Sequence, residues 1–376
     1  MTLHPLPALL LSLLLLLALS PCPRAEPSAA ELLKIRQMAS RTTGSLADEP
    51  SRVPRVYVIG AQKGGSSSLY EMLVRHPALC GALYKEPNFF LTDRHQGTRD
   101  LRWYLSLFLD DKCLKKPHKA FVDGSCMLHG LAAALRTMNA TYTPVQMASL
   151  RFVALLREPV ARDYSWYKHR VRAHLLKQRP FASVRTYGEC FGDDSAANPN
   201  PNSAPNTTFD PSKVYRCHAR GDYLPQLRVF TQYFRRDQIF IANSQMLFTN
   251  DKSLMPALAA FLGLKMSNAW LAQFPQVDHI AGSKTPLCLA RSVPLLDCAT
   301  RDGLGAYYAP KTAALMQWIN DTRYDHQAPT SEPPFVPFEP YTALPCVDNA
   351  RAEFDRKVVL GGRAGCAAGA DVAKGG

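Results

Sequence analysis

The sequence predicts an α/β fold, P-loop-like and three-layered, with a central parallel sheet flanked by helices. Three observations predict it. Short apolar runs recur along the chain, at Val56–Ile59, Phe121–Val122, Phe152–Leu156 and Ile239–Ala242, and read as strands buried on both faces. Helical periodicity fills the intervals, at Ser67–Arg75, Leu128–Met138, Val160–Leu176, Tyr223–Phe234 and Leu254–Leu262. A Gly-rich turn, Gly60-Ala-Gln-Lys63-Gly64-Gly65-Ser66-Ser67-Ser68, joins the first run to the first helical pattern.

Ahead of these elements, Leu6–Leu19 is nearly unbroken leucine and alanine, and Ser20-Pro-Cys-Pro-Arg-Ala25 follows it. The run is short for a membrane span of roughly 20 residues. It reads as a signal peptide cut near Ala25, or as an uncleaved Golgi-type signal anchor over residues 1–25. Residues 26–50 read as a polar stem, 51–345 as one catalytic domain, and 346–376 as a Gly/Ala-rich disordered tail. Cys190–Asp210 reads as a long surface loop.

The chain has 376 residues and a formal net charge of +13, which suits a polyanionic partner: nucleic acid, anionic lipid or acidic polysaccharide. Ten cysteines without a Cys-x-x-Cys zinc pattern point to disulfides in an oxidising compartment and to no metal site. Cys288 and Cys298 lie close enough to close a small loop, and Cys190 and Cys217 bracket a longer one. Asn139, Asn206 and Asn320 begin N-glycosylation sequons, Asn-Ala-Thr, Asn-Thr-Thr and Asn-Asp-Thr. Together these features place the chain in the secretory lumen, soluble or anchored in the Golgi, and argue against nucleic acid as its partner.

The Gly-rich turn is an anion site of unusual design. A strand feeding a glycine turn into a helix aims free amides and the positive helix end at one point. Nucleoside triphosphate loops carry their lysine after the last glycine, whereas Lys63 precedes Gly64 and Gly65. No acidic strand end supplies a second magnesium ligand, so a phosphate is expected and a metal-bound triphosphate is not. The competing reading is a glycine turn with a serine N-cap.

A second element is Arg151-Phe-Val-Ala-Leu-Leu-Arg157-Glu-Pro-Val-Ala-Arg-Asp-Tyr-Ser165. The strand delivers Arg157 to its carboxyl end, where ligands of open α/β sheets gather. Pro159 opens a helix carrying Ser165. Guanidinium and hydroxyl can then converge on a second phosphate. The competing reading is an arginine salt-bridged to Glu158 or Asp163.

With both elements in hand, the chain resembles the sulfotransferases that use 3′-phosphoadenosine 5′-phosphosulfate (PAPS), above all the Golgi glycosaminoglycan group that acts on heparan sulfate and chondroitin. The resemblance runs from about residue 53 to 325, through the two phosphate elements, Lys85-Glu-Pro-Asn-Phe-Phe90, Gly221-Asp-Tyr-Leu-Pro-Gln-Leu227 and the Cys288…Cys298 pair. It implies that Gly64, Gly65, Ser66 and Ser67 hold the 5′-phosphate, and that Arg157 and Ser165 hold the 3′-phosphate. Lys63 would bind the donor and stabilise the leaving phosphate, with no metal required. Glu86 is implied as general base, with His129 as the alternative; Lys85, Asn88 and Arg94 would touch the acceptor, and Tyr223 either lines the cleft or packs as a buried tyrosine. A Cys288–Cys298 disulfide is also implied.

The expected reaction is sulfuryl transfer to a carbohydrate hydroxyl on an acidic or neutral glycan. A tyrosylprotein sulfotransferase and a non-catalytic lumenal glycan-binding protein are the alternatives. Two departures bear on the acceptor. Asp123-Gly-Ser125 stands where many relatives have Glu-Lys-Ser, and Ala299-Thr-Arg301 stands where a Lys-Gly-Arg cofactor lid is expected.

Overall fold

The computed structural model describes residues 53–91, 101–108, 120–128, 132–175, 219–271 and 295–348. Five strands form one parallel sheet: β1 (Val56–Gly60), β2 (Leu79–Gly81), β3 (Ala120–Asp123), β4 (Arg151–Leu156) and β5 (Ile239–Asn243). Their order across the sheet is β2-β3-β1-β4-β5. Every residue of β1 and β5 is buried. This is why the runs are apolar without alternation: both faces of a parallel sheet are covered by helices.

The pleat divides those apolar residues between two cores. Tyr57, Ile59, Phe152, Ile239 and Ile241 face one side, and Val56, Val58, Val153, Leu155 and Phe240 the other. The second core is closed by α1 (Ser66–Val74), through Leu69, Met72 and Leu73. The remaining helices before β5 are α2 (Leu101–Ser106), α3 (Ala132–Thr141), α4 (Pro144–Ser149), α5 (Pro159–Leu175) and α6 (Tyr223–Thr231). After β5 come α7 (Ser244–Phe248), α8 (Leu254–Leu262), α9 (Asn268–Leu271) and α10 (Cys298–Tyr324). Leu258 and Phe261 of α8 complete the second core, while Leu227 and Phe230 of α6 and Leu315 and Ile319 of α10 complete the first. Three layers result, as expected from the alternation of strands and helices.

Several elements were not foreseen: β2, the short helices α2, α4, α7 and α9, the long α10, and the strands that follow β5. β2 is a three-residue edge strand, and α10 carries Gly303, Gly305 and Pro310 within 27 residues. Its buried positions, Leu304, Tyr308, Leu315, Ile319 and Thr322, still repeat at helical spacing. Gly305 is required there, because an added Cβ would lie 2.1 Å from the Tyr341 ring.

Beyond α10 the chain returns along the open edge of β5. Glu332 accepts from the Ile241 amide at 2.7 Å, and the Asn243 side-chain amide donates to the carbonyls of Val336 and Pro337 at 3.1 Å each. The edge is thereby covered. A two-residue ladder joins β6 (Leu296–Asp297) to β7 (Cys346–Val347).

That ladder corrects the expected disulfide. Cys298 is bonded to Cys346, 48 residues on, and not to Cys288. The parallel register sets Leu296 opposite Cys346, so the next residues bring the two Cα atoms to 5.0 Å, within disulfide reach. Cys80 is disulfide-bonded as well, and Cys126 is a buried free thiol. Cys190, Cys217, Cys288, the leader, the stem and residues 349–376 lie outside the described residues. Among the described residues no helix is long and apolar enough to cross a membrane.

Candidate functional site

The site forms at the carboxyl ends of β1, β3 and β4. Beyond Gly60 the chain turns back on itself, with the Gly64 amide bonded to the Ala61 carbonyl at 2.9 Å. A Cβ on Gly64 would sit 2.6 Å from the Leu155 carbonyl oxygen, so only glycine lets the loop lie against β4. Lys63 and Gly65 both have positive φ, 68° and 93°. The N-cap of α1 is Gly65, with no side-chain cap and no acidic residue in the first turn. The serine-cap reading is therefore not what this chain does: the first amides of α1 receive no side-chain cap. Ser66 is buried against the loop, while Ser67 is exposed.

Arg157 follows β4 directly and reaches the same loop. Its Nη1 donates to the Lys63 carbonyl at 3.2 Å, and its guanidinium lies 5.6 Å from the centre of the Phe248 ring. No carboxylate among the described residues pairs with it. Glu158 instead accepts from the amides of Val160 and Ala161, at 3.0 and 2.6 Å, and caps α5. Asp163 is taken by Arg162 and by the Tyr308 hydroxyl, the latter at 2.6 Å. The salt-bridge reading of Arg157 is thus excluded. Burial pushes the Arg157 pKa down and the Glu158 pKa up.

Ser165 lies on α5, partly exposed, about two turns beyond Arg157. Tyr223 does not line a cleft. It is buried, and its hydroxyl donates to the Arg157 carbonyl at 2.8 Å, which fixes the backbone behind the guanidinium.

The third component enters from the segment after β2. Lys85 Nζ lies 3.4 Å from Ser66 Oγ and ion-pairs with Glu86. The side chains of Lys85 and Glu86 are 17% and 19% exposed, so the pair is sheltered yet reachable. Cys126 Sγ lies 3.6 Å from both Ser66 Oγ and Glu86 Oε1, linking the phosphate loop to the carboxylate. Asn88, buried with a φ of 53°, bonds back to the Glu86 carbonyl at 3.1 Å.

Lys63, Gly64, Gly65, Ser66, Arg157, Lys85 and Glu86 are therefore brought together. Arg94 and His129 lie outside the described residues. Arg301 is spent elsewhere: it donates to the Leu344 carbonyl at 3.1 Å and pairs with Asp302. Asn139 and Asn320 are exposed on α3 and α10, and Asn206 lies outside the described residues. Among the described residues no group of three or more His, Cys, Asp or Glu side chains is placed to hold a metal.

Sequence reasoning missed two members of the site. Cys126 carries no pattern of its own; its closeness to the end of β3 is the signal that was available. Arg220 is the other: buried, it donates to the Gln62 side chain and so holds the Gly-rich turn.

The model of the sulfotransferase domain family matches residues 53–279. The chain is similar to the bifunctional heparan sulfate N-deacetylase/N-sulfotransferase 3 of Homo sapiens, 26% identical over 289 residues, which cover 72% of this chain and 30% of that protein. It is also 26% identical over 279 residues to the human N-deacetylase/N-sulfotransferase 1, covering 68% of this chain and 28% of that one. The chain thus spans under a third of the length of these relatives. Among solved structures, a sulfotransferase from Alicyclobacillus acidocaldarius aligns with a TM-score of 0.45 at 22% identity, over 71% of this chain and 96% of that one.

Proposed function

Because the chain belongs to the sulfotransferase domain family, we propose that it moves a sulfuryl group from PAPS to a hydroxyl of a glycosaminoglycan-type acceptor. The observation that carries this reading is the bond from Arg157 to the Lys63 carbonyl, which ties the two anion elements into one site. The start of α1 carries no side-chain cap, and no carboxylate among the described residues pairs with Arg157. Such a donor set suits a ligand phosphorylated at both ends of its adenosine.

The donor supplies an activated sulfuryl group on its 5′-phosphate. The chain's residues do the rest. The amide of Gly65 with Ser66 and Ser67 holds the 5′-phosphate, Gly64 lying against β4 with its own amide given to the Ala61 carbonyl, while Arg157 and Ser165 hold the 3′-phosphate. As the acceptor oxygen bonds to sulfur, the sulfur–oxygen bond to the 5′-phosphate breaks and charge grows on the leaving oxygen. Lys63 meets that charge. The acceptor's proton passes to Glu86, and Lys85 and Asn88 orient the incoming sugar. The Cys298–Cys346 bond and the exposed sequons at Asn139 and Asn320 support a lumenal, Golgi-type setting.

A second reading concerns the acceptor atom. The relatives are named as heparan sulfate N-sulfotransferases, which favours a nitrogen of such a glycan as the acceptor atom in place of a hydroxyl oxygen. The test is transfer of radiolabelled sulfate to a panel of N-desulfated heparan, chondroitin and tyrosine peptides. Label on a glycan supports the proposal, and the position of the label separates nitrogen from oxygen. Label on the peptides alone would assign a tyrosylprotein sulfotransferase, and glycan binding without label a non-catalytic module.

A further inference from the structure

The turn Asp123-Gly-Ser125 departs from the family pattern, and its surroundings give it a task. We propose that this turn is a positioning device for the Lys85–Glu86 pair, with Ser125 as the residue that transmits it. The inference rests on the reading of Glu86 as the base.

Asp123 ends β3 and is 1% exposed, as is Ser125. One Asp123 carboxylate oxygen accepts from the Tyr104 hydroxyl at 2.6 Å, and the other accepts from the Ser125 amide at 2.7 Å. Tyr104 is itself buried, beside the Tyr57 hydroxyl at 3.4 Å. The turn is thereby anchored in the core beneath the sheet. From it, Ser125 Oγ accepts the Asn88 amide at 2.9 Å, and the Gly124 amide donates to the Lys85 carbonyl at 3.1 Å. The Asn88 side chain closes the circuit on the Glu86 carbonyl at 3.1 Å.

The segment Lys85–Asn88 is thus tied to the turn at its two ends, Lys85 and Asn88, and closed on itself at the Glu86 carbonyl, so the backbone is held on either side of the Glu86 side chain. The fit is close as well: a Cβ on Gly124 would fall 2.8 Å from both Lys85 Cγ and the Lys85 carbonyl oxygen. Among the described residues the Glu86 carboxylate bonds to Lys85 and Cys126, its immediate neighbour and a residue of the same turn, so its aim at the acceptor is set by the backbone that carries it. Ser125 touches no substrate; it acts through Glu86, and a small misplacement of a reacting group is costly.

The test is a double-mutant cycle, Ser125→Ala in the wild-type and Glu86→Gln backgrounds, read by kcat, KM, 3′,5′-ADP affinity and thermal unfolding. Ser125→Ala is expected to lower kcat by about tenfold to a hundredfold while the 3′,5′-ADP Kd stays within about twofold, below the tenfold that 1.4 kcal/mol would produce. In the Glu86→Gln background it should cost nothing further. Asp123→Asn should retain more kcat than Asp123→Ala, because the amide oxygen still accepts from Ser125 and the Tyr104 hydroxyl can rotate. Equal losses in both backgrounds, or an unchanged kcat in Ser125→Ala, overturn the positioning role. An unchanged kcat in Glu86→Gln alone instead overturns the base assignment. Should Ser125→Ala fail to fold, Gly124→Ala, which displaces Lys85, enters the same cycle with the same outcomes.

Discussion

Arg157 and Arg236 flank the same pair of strands, one just past the carboxyl end of β4 and the other just ahead of β5. Arg236 spends its fork inside the protein. Its Nη2 meets Glu332 Oε1 at 2.6 Å, its Nη1 bonds to Glu332 and to the Ile239 carbonyl, and its Nε reaches Thr322 Oγ1 at 3.3 Å. Arg157, with the same five donors, gives one to the Lys63 carbonyl and lays its face on Phe248. The difference teaches how to tell a structural guanidinium from a binding one: the first is saturated by the chain, and the second is positioned by the chain but left with donors to offer.

Mutation should separate the two. Arg236→Ala strands the buried Glu332 and is expected to cost about 3–5 kcal/mol of stability, measured by urea unfolding. Arg157→Ala should cost less than about 1 kcal/mol there, as a partly exposed group with no ionic partner among the described residues. Comparable losses for the two would erase the distinction.

Lys63→Ala comes next. Removing the charge beside the leaving oxygen is expected to lower kcat by about 10²–10³-fold, as for other groups that stabilise a developing anion, with thermal unfolding little changed. Near-normal turnover in this variant would mean that Lys63 has another task.

Smaller effects concern the supports of Arg157. Tyr223→Phe loses one hydrogen bond to the Arg157 carbonyl and is expected to cost about 0.5–1.5 kcal/mol in chemical unfolding. Smallest is a pH effect at Glu158, whose pKa burial raises above the usual 4.5. The folded state then holds this proton more tightly than the unfolded chain. Its contribution to stability is greatest at acidic pH and declines as pH rises from the ordinary glutamate value through the folded one. The stability difference between wild type and Glu158→Gln should therefore fall across that window, and a rise would contradict the burial argument.

How much of this was legible beforehand depended on sequence distance. β1, β3, β4 and β5 announced themselves because burial on both faces demands unbroken apolar runs, and α8 was read at its observed bounds, Leu254–Leu262. The turns expected to hold phosphate were legible as strand-to-helix junctions for a related reason: Lys63 to Ser68 and Arg157 to Ser165 are local, and each follows a buried strand directly. Contacts across the chain were not. The Cys298–Cys346 bond depends on a two-residue ladder that no pattern marks. Glu332, in a proline-rich stretch, gave no hint that it would seal β5. Cys126 lies 60 residues from Ser66 and meets it only because β3 and β1 are neighbours. The departure at Asp123-Gly-Ser125 was visible in the sequence, but its bonds to Tyr104 and Asn88 were not.

The central claim, that Lys63 and Arg157 serve one ligand phosphorylated at both ends, is tested most directly by calorimetry of 3′,5′-ADP and 5′-AMP with wild type and Arg157→Ala. The account expects the variant to lose about tenfold to a hundredfold in affinity for 3′,5′-ADP, the worth of a charge-assisted pair, and little for 5′-AMP. Equal losses for the two nucleotides would contradict it.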